Sequence, residues 1–477
     1  MIRALPAARL PVWLAPAGAA VIGGTLVGLA VTAVNPLIVV VALLAAAITA
    51  AAFALPTGRF WLLLGVITLL PFATVPKIGL QPTFLDLILG VILLIAAARF
   101  LTRRDQGVAT PLDIPVLVYL ALCCVSFVFG SAYGLTTDTA KYFLRIVGAV
   151  LLFFAVTNGL NTRKRLNTFV NALIAGSAGS AVLALVFFGV GQPTAAKMLS
   201  SLAPLGYPSG DVLRFIASTT IWRATSTQVD PNIFGGLLML GMIFLLGRLL
   251  ESVADRRRWY VAVPGLAIMG WALLQSYSRG AWVGLVAGVV FLALARFRKA
   301  LPVILLTGLI AVVALGNTDF GKHLVSGFLV EDKASAMRLG EYKDAVNFIG
   351  EYPFFGVGFG TTPSGSSAIT PEADIYVGVS NIYLLMALEI GLVGMAGFAL
   401  VTGTAVFSGW RSYRSGDPAG RNNIATAGAA LFAAGVAGIA DHYFFRFPHM
   451  IALFWSLIAI LAISSRLAKG DPARFPG

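Results

Sequence analysis

What most constrains this chain is that its sequence is cut into about 14 apolar stretches, each long enough to cross a bilayer core of roughly 30 Å as a helix. They run near 17–34, 36–56, 60–75, 83–101, 112–130, 139–158, 167–190, 231–250, 259–276, 280–296, 300–316, 380–407, 424–440 and 447–466. With 58% apolar and 11% charged residues over 477 positions, too little polar surface exists to clothe a soluble globule. The expected fold is an all-α polytopic integral membrane protein, with residues 1–477 as a single transmembrane domain. Backbone in hydrocarbon must satisfy its own hydrogen bonds, and a helix does so within one segment.

Lys and Arg avoid translocated loops, so their positions test the orientation. Threading these helices with the amino terminus inside puts most of the 34 basic residues on inner segments, among them Arg99, Arg103, Arg104, Arg163, Arg165, Arg256 to Arg258, Arg411, Arg414 and Arg421. Both termini are then cytoplasmic, and the net charge of +14 is mostly topology rather than nucleic-acid affinity. Arg3, Arg9 and the apolar stretch after them resemble the front of a signal peptide, with small residues near Ala19. Retention as the first helix is expected, because its removal would put every inner basic loop outside. Cys123 and Cys124, adjacent in an apolar segment, suit neither a metal site nor a structural disulfide and read as core filling.

Two long interruptions, 191–229 and 317–379, fall on the outer side and carry Pro, Gly, Trp and periodic apolar residues rather than a disordered composition. They read as structured covers over an outward-facing cavity. Within the second, residues 334–349 have helical spacing: Tyr342, Ala345 and Ile349 share one face, and Gly340, Lys343, Asp344 and Asn347 the other. Arg338 falls on the apolar face, as suits an interfacial helix aiming it at a lipid-linked group, or an arginine snorkelling to water. No internal repeat and no matching pair of broken segments points to an inverted-repeat transporter.

Arg279 interrupts two apolar runs whose far ends carry Arg256 to Arg258 on one side and Arg296, Arg298 and Lys299 on the other, so it belongs at the outer face. Three further outer elements join it. Arg223 lies in a loop ending at Asp230-Pro231-Asn232, where Asp230 can cap the next helix and Pro231 suits its first turn. Arg338 and Tyr342 precede Gly356-Val-Gly358-Phe-Gly360, and Ser380-Asn381-Ile-Tyr383 opens the helix that carries Glu389, Gly391 and Gly394. Three arginines on one cavity match a diphosphate, because the guanidinium fork binds phosphate oxygens bidentately and stays charged. No Asp-rich metal motif appears in the outer loops, so neither a metal nor another cofactor is expected. The glycine run lacks the strand and helix of a nucleotide loop and reads as a turn where backbone approaches a helix or ligand. The three histidines, His323, His442 and His449, all fall on the outer side, which leaves a general-base role open to them beside a structural one.

The order of these elements resembles the O-antigen ligase and polymerase family over about residues 215–466: Arg223 with Pro231-Asn232, Ser278-Arg279-Gly280, Arg338 with Tyr342 and the glycine run, Asn381 and Tyr383 before Glu389-Ile-Gly391-Leu-Val-Gly394, then Asp441-His442-Tyr443. The resemblance implies a membrane glycosyltransferase C type fold. It implies that Arg223 and Arg279 hold a donor diphosphate with help from Arg338, and that Tyr342, Asn381 and Tyr383 support them. Family ligases often place a histidine, the proposed base, where this chain has Ser380. His442, Asp230, Glu372 and Asp374 are the substitutes, in that order.

The function expected is metal-independent glycan transfer at the outer face of a bacterial inner membrane, as polymerase or ligase in O-antigen or exopolysaccharide assembly. The partners are a polyprenyl-diphosphate-linked glycan donor, a glycan or glycolipid acceptor and membrane lipid, with no nucleic acid. The alternative is a flippase or exporter of a lipid-linked glycan, for which Arg145, the one strong candidate for a basic charge buried in midspan, would be the marker unless it neutralises Asp138 or a lipid phosphate.

Overall fold

The computed structural model describes residues 49–50, 55, 57–74, 82–102, 108–130, 135–216, 219–251, 256–302, 333–360 and 379–470, with isolated positions at 304, 306, 308, 310, 316, 318 and 321. Met1–Arg59 and Phe60–Gly477 are two compact units. Of the first, only residues 49, 50, 55 and 57–59 are described. The helices in chain order are α1 (Gly58–Leu69), α2 (Phe84–Leu101), α3 (Asp113–Phe129), α4 (Thr137–Gly159), α5 (Arg163–Gly189), α6 (Gln192–Ser200), α7 (Pro231–Glu251), α8 (Arg256–Ser276) and α9 (Arg279–Arg296). They continue with α10 (Lys333–Glu351), α11 (Ile382–Ser415), α12 (Pro418–Ala437), α13 (Tyr443–Arg446) and α14 (Pro448–Ala468). The described residues hold one sheet, a two-residue antiparallel hairpin of β1 (Arg214–Phe215) and β2 (Trp222–Arg223).

Eight of these helices are long and apolar enough to cross a membrane, α2, α4, α5, α7, α8, α9, α11 and α14, and the chain is a multi-pass membrane protein. That is fewer than the expected count of about 14, for identifiable reasons. The stretches near 17–34 and 36–56 lie almost wholly outside the described residues, and 300–316 is described only in part. Helices α1 and α3 are apolar but shorter, at 12 and 17 residues. Helix α12 is long enough at 20 residues, but seven of its eleven buried residues are alanine and it lacks the apolar weight of the others.

Helices α7 and α14 form the centre and are the most enclosed of the spans. Helix α14 packs on α4, α11 and α12, and α7 on α5, α8, α9 and α12. Lipid gives helices no hydrophobic reason to associate, so close packing through small residues takes over. A Cβ on Gly236 of α7 would lie 2.5 Å from the Tyr443 ring, and one on Gly288 of α9 would lie 2.6 Å from Ile243 and 3.0 Å from Ala433. Cys123 is buried, but Cys124 is exposed, so only the first of the two cysteines fills the core: neighbours on one helix point about 100° apart.

Helix α11 is broken at Gly391, whose backbone (φ 70°, ψ 177°) is open to glycine and strained for other residues. The segment Pro353–Gly360 crosses the break and repairs its hydrogen bonding. Val357 and Gly358 N–H donate to the Leu388 and Glu389 carbonyls at 2.8 and 3.2 Å, and the Ser126 hydroxyl donates to the Ile390 carbonyl at 2.9 Å. On the other side, Leu392 and Val393 N–H donate to the Pro353 and Phe354 carbonyls. Gly356 has no room for a side chain because the Leu388 carbonyl lies against it. The glycine run is a backbone-to-backbone crossing.

Candidate functional site

The ends of several helices meet at one end of the bundle. The loop after β2 is pinned from two sides. Ala224 N–H donates to the Gln275 carbonyl at 2.8 Å, while Thr227 and Gln228 side chains donate to the Ile67, Thr68 and Leu69 carbonyls left open at the C-terminus of α1. This anchoring holds Ser226 and Val229 at positive φ, 52° and 62°, a conformation a β-branched residue adopts only when its surroundings impose it. Asp230 then caps α7, its Oδ1 accepting from Asn232 N at 2.7 Å and Ile233 N at 3.1 Å.

Arg223 is set by the same loop. Its Nε donates to the Ser276 carbonyl at 2.9 Å, and Nη2 donates to Asn232 Oδ1 at 2.7 Å and to the Tyr277 carbonyl at 3.4 Å. Its Nη1 carries no protein partner among the described residues, so one edge of the fork remains available. Burial lowers the Arg223 pKa to about 10, with Arg279 and Arg338 pushing the same way and Asp230 and Asp441 opposing them. It remains a cation at neutral pH. The two-residue turn between α8 and α9, with Tyr277 at φ 51°, presents Arg279 as the first residue of α9. No side chain caps that N-terminus, so the first-turn N–H groups add to the positive field of Arg279.

The other wall is α10 against the start of α11 and the turn between α12 and α13. Tyr342 Oη donates to the Ser380 carbonyl at 2.8 Å and contacts the Ile439 carbonyl at 3.3 Å. Asn381 caps α11 by accepting from Tyr383 N and Leu384 N, and its Nδ2 donates to the Ile439 carbonyl at 3.0 Å. Tyr383 Oη donates to the Gly435 carbonyl at 2.9 Å. Asp441 accepts His442 N–H at 2.8 Å, and its charge acts on Arg223 of the facing wall. Arg338 acts electrostatically on Arg223, Asp441 and His442 at once, so all three arginines share one field.

Burial raises the pKa of Asp230, with Asp441 reinforcing and Arg223 opposing the shift, and burial also raises that of Asp441, against the opposing charges of Arg338 and Arg223. His442 is 5% exposed, its ring stacks on Phe447, and burial lowers its pKa to about 4, so the imidazole is neutral at pH 7. His449, expected beside it on the turn, is buried in the first turn of α14 against Phe72. His323, Glu372 and Asp374 lie outside the described residues.

One residue here carried no role in the sequence reading. Glu341, three residues after Arg338 and four before Ala345, faces inward and is 8% exposed; its Oε2 accepts Ser380 N–H at 2.9 Å. Its place at the helical spacing from Arg338 was visible in the sequence, but a glutamate on an interfacial helix reads by default as solvated. Arg145 also differs from expectation. It pairs with Asp86 of α2 through Nε at 3.1 Å and Nη2 at 2.8 Å, while Asp138 is held by Lys141. A second pair, Arg446 with the fully buried Glu389 at 3.3 Å, sits beside the helix break, where the sequence had offered only Arg145 as an intramembrane charge.

An apolar groove of about 1200 Å³ runs between α9, α11 and α12. It begins at Ile382, Tyr383 and Ile439, beside Asn381, and ends at Arg298, Tyr413 and Arg414 at the opposite ends of the helices. No curated protein matches the chain. Residues 264–399, which include Arg279, Arg338, Tyr342, Ser380, Asn381, Tyr383 and the glycine crossing, match the family model described as O-antigen ligase (Wzy_C).

Proposed function

We propose that the protein transfers glycan from a polyprenyl-diphosphate donor to a sugar hydroxyl, at the outer face of a bacterial inner membrane, as a polymerase or ligase of surface polysaccharide. The observation that carries this reading is the convergence of Arg223, Arg279 and Arg338 in one field at one end of the bundle, with Nη1 of Arg223 left open. Three cations at a low-dielectric boundary stabilise charge as it develops on a departing diphosphate, without needing a metal to do so. The acceptor oxygen attacks the anomeric carbon from the face opposite the diphosphate, which inverts that centre.

The groove supports the donor's chemistry. It starts beside Asn381 and continues along α11 past Phe398 to Trp410, much further than a single leaflet's acyl chain of roughly half the 30 Å core would need. A long polyprenyl tail fits that length. The orientation with this site outward is supported by Arg163, Arg248, Arg258 and Arg414, all at helix ends away from it. The exporter alternative loses its marker, since Arg145 is neutralised by Asp86.

The test is product analysis with purified protein and a defined polyprenyl-diphosphate oligosaccharide, with and without a separate lipid acceptor. Longer chains without that acceptor identify a polymerase, and product only with it identifies a ligase. Arg223→Ala and Arg279→Ala should each cost about 100-fold or more in kcat/KM. Full activity in both would sink the diphosphate role.

A further inference from the structure

The leaving-group side of the proposed reaction has its arginines, but the hydroxyl that attacks must also give up a proton. Four groups in the site could take it, and their present engagements differ. Asp230 Oδ1 is occupied by two N–H groups at the start of α7. Asp441 Oδ1 holds His442 N–H, and the carboxyl faces the charges of Arg338 and Arg223. His442 lies flat against Phe447 and is buried. Glu341 is engaged differently: its carboxylate accepts the backbone N–H of Ser380 at 2.9 Å, and the Ser380 side chain beside it favours its charged form.

Ser380 is clamped from three directions. Its N–H points to Glu341 Oε2 at 2.9 Å, its carbonyl receives the Tyr342 hydroxyl at 2.8 Å, and the following Asn381 is tied to Ile439 at 3.0 Å. Neither Glu341 nor Ser380 caps a helix, since Asn381 performs that task for α11. Both are 8% exposed. A carboxylate so buried is costly unless it is paired or used. Facing it are Arg338 and Tyr342 on its own helix and Asp441 from the turn after α12.

We propose that Glu341 is the proton acceptor of the transfer, working through the hydroxyl of Ser380. This rests on the transferase reading above. As the acceptor oxygen bonds to the anomeric carbon, its proton passes to Ser380 Oγ and the serine's own proton passes to Glu341. The anomeric carbon–oxygen bond breaks and its electron pair leaves on the diphosphate. Glu341 ends as a neutral acid, Ser380 is regenerated, and the proton then leaves to water. Burial, the largest influence on Glu341, raises its pKa toward the working range of a general base.

The experiment uses full-length protein in lipid nanodiscs with a synthetic polyprenyl-diphosphate oligosaccharide, following initial rates over about pH 5 to 9. Wild type should lose kcat as pH falls and Glu341 protonates. Glu341→Gln should lower kcat by about 100-fold or more, abolish that acid limb and leave the donor KM within about threefold. Ser380→Ala, which keeps the backbone bond to Glu341, should lose kcat similarly, and Ser380→His in the Glu341→Gln protein should recover part of the rate. An active wild type whose Glu341→Gln form keeps both kcat and the acid limb overturns the proposal. Should Glu341→Gln fail to fold, a fully active Ser380→Ala overturns it alone. Wild type that makes no product from the donor overturns the transferase reading itself, and the proton role with it.

Discussion

Arg223 shows how much positioning one side chain can require. Its Nε and Nη2 reach three different acceptors, the Ser276 and Tyr277 carbonyls and Asn232 Oδ1, so the planar fork is oriented before any ligand arrives. A lysine has one nitrogen and cannot reproduce that geometry. Arg223→Lys should therefore lose most of the activity lost by Arg223→Ala despite keeping the charge, as measured by kcat/KM on the same donor. His442 makes a separate prediction. Its folded pKa, about 4, lies below the ordinary 6.5, so its contribution to stability is complete above 6.5 and is lost as pH falls from there toward 4. The buried carboxyls have raised values and respond in the opposite sense, which makes the comparison with a variant necessary. Between pH 7.5 and 5 the melting temperature of detergent-solubilised wild type should fall more than that of His442→Asn. An equal fall would show that the imidazole is already charged in the fold.

At the scale of elements, the broken helix α11 decides where the site's two walls meet. The segment Pro353–Gly360 supplies the donors and acceptors that the break at Gly391 leaves open, and it follows α10 directly. Position along α10 is therefore coupled to the start of α11. A Cβ at Gly391 would drive into the Phe354 carbonyl and would also impose a side chain on a backbone with φ 70°. Gly391→Ala should cost on the order of 3 kcal/mol or more, seen as a lowered melting temperature or a loss of monodisperse protein. Asn381→Ala removes a helix cap and the bond to Ile439, a loss of about 1 kcal/mol in stability from the cap. A melting curve unchanged by Gly391→Ala would mean that the crossing is not as tight as described.

At the scale of the molecule, the groove and the arginine cluster are parts of one arrangement, because α11 borders both. Filling the groove from α12 with Gly428→Trp, opposite Phe291, should raise the KM for long-chain polyprenyl donors and leave short-chain donors nearly unaffected. Equal effects on the two would separate the groove from the donor. Several features of this arrangement were readable without coordinates. Apolar runs of bilayer length announced the membrane class, because hydrocarbon tolerates little besides helices. The sequence Asp230-Pro231 announced a helix start, because capping is local chemistry. Arg279, set between two apolar runs, announced a helix boundary for the same kind of local reason. Other features depended on what stands beside a residue. Arg145 carries no sign in its own neighbourhood that Asp86, far away in the chain, neutralises it. Glu341 gives no local hint that it faces Ser380 rather than water, and the glycines at 356 and 391 do not reveal that the backbone at Leu388 closes on the first and that at Phe354 on the second. Sequence by itself determined periodicity, charge placement and caps, since these act over a few residues. Only the tertiary structure decided which charges are paired, which backbone groups replace a broken helix's own bonds and which carboxylate meets the serine, since each is a contact between segments that the chain brings together only by folding.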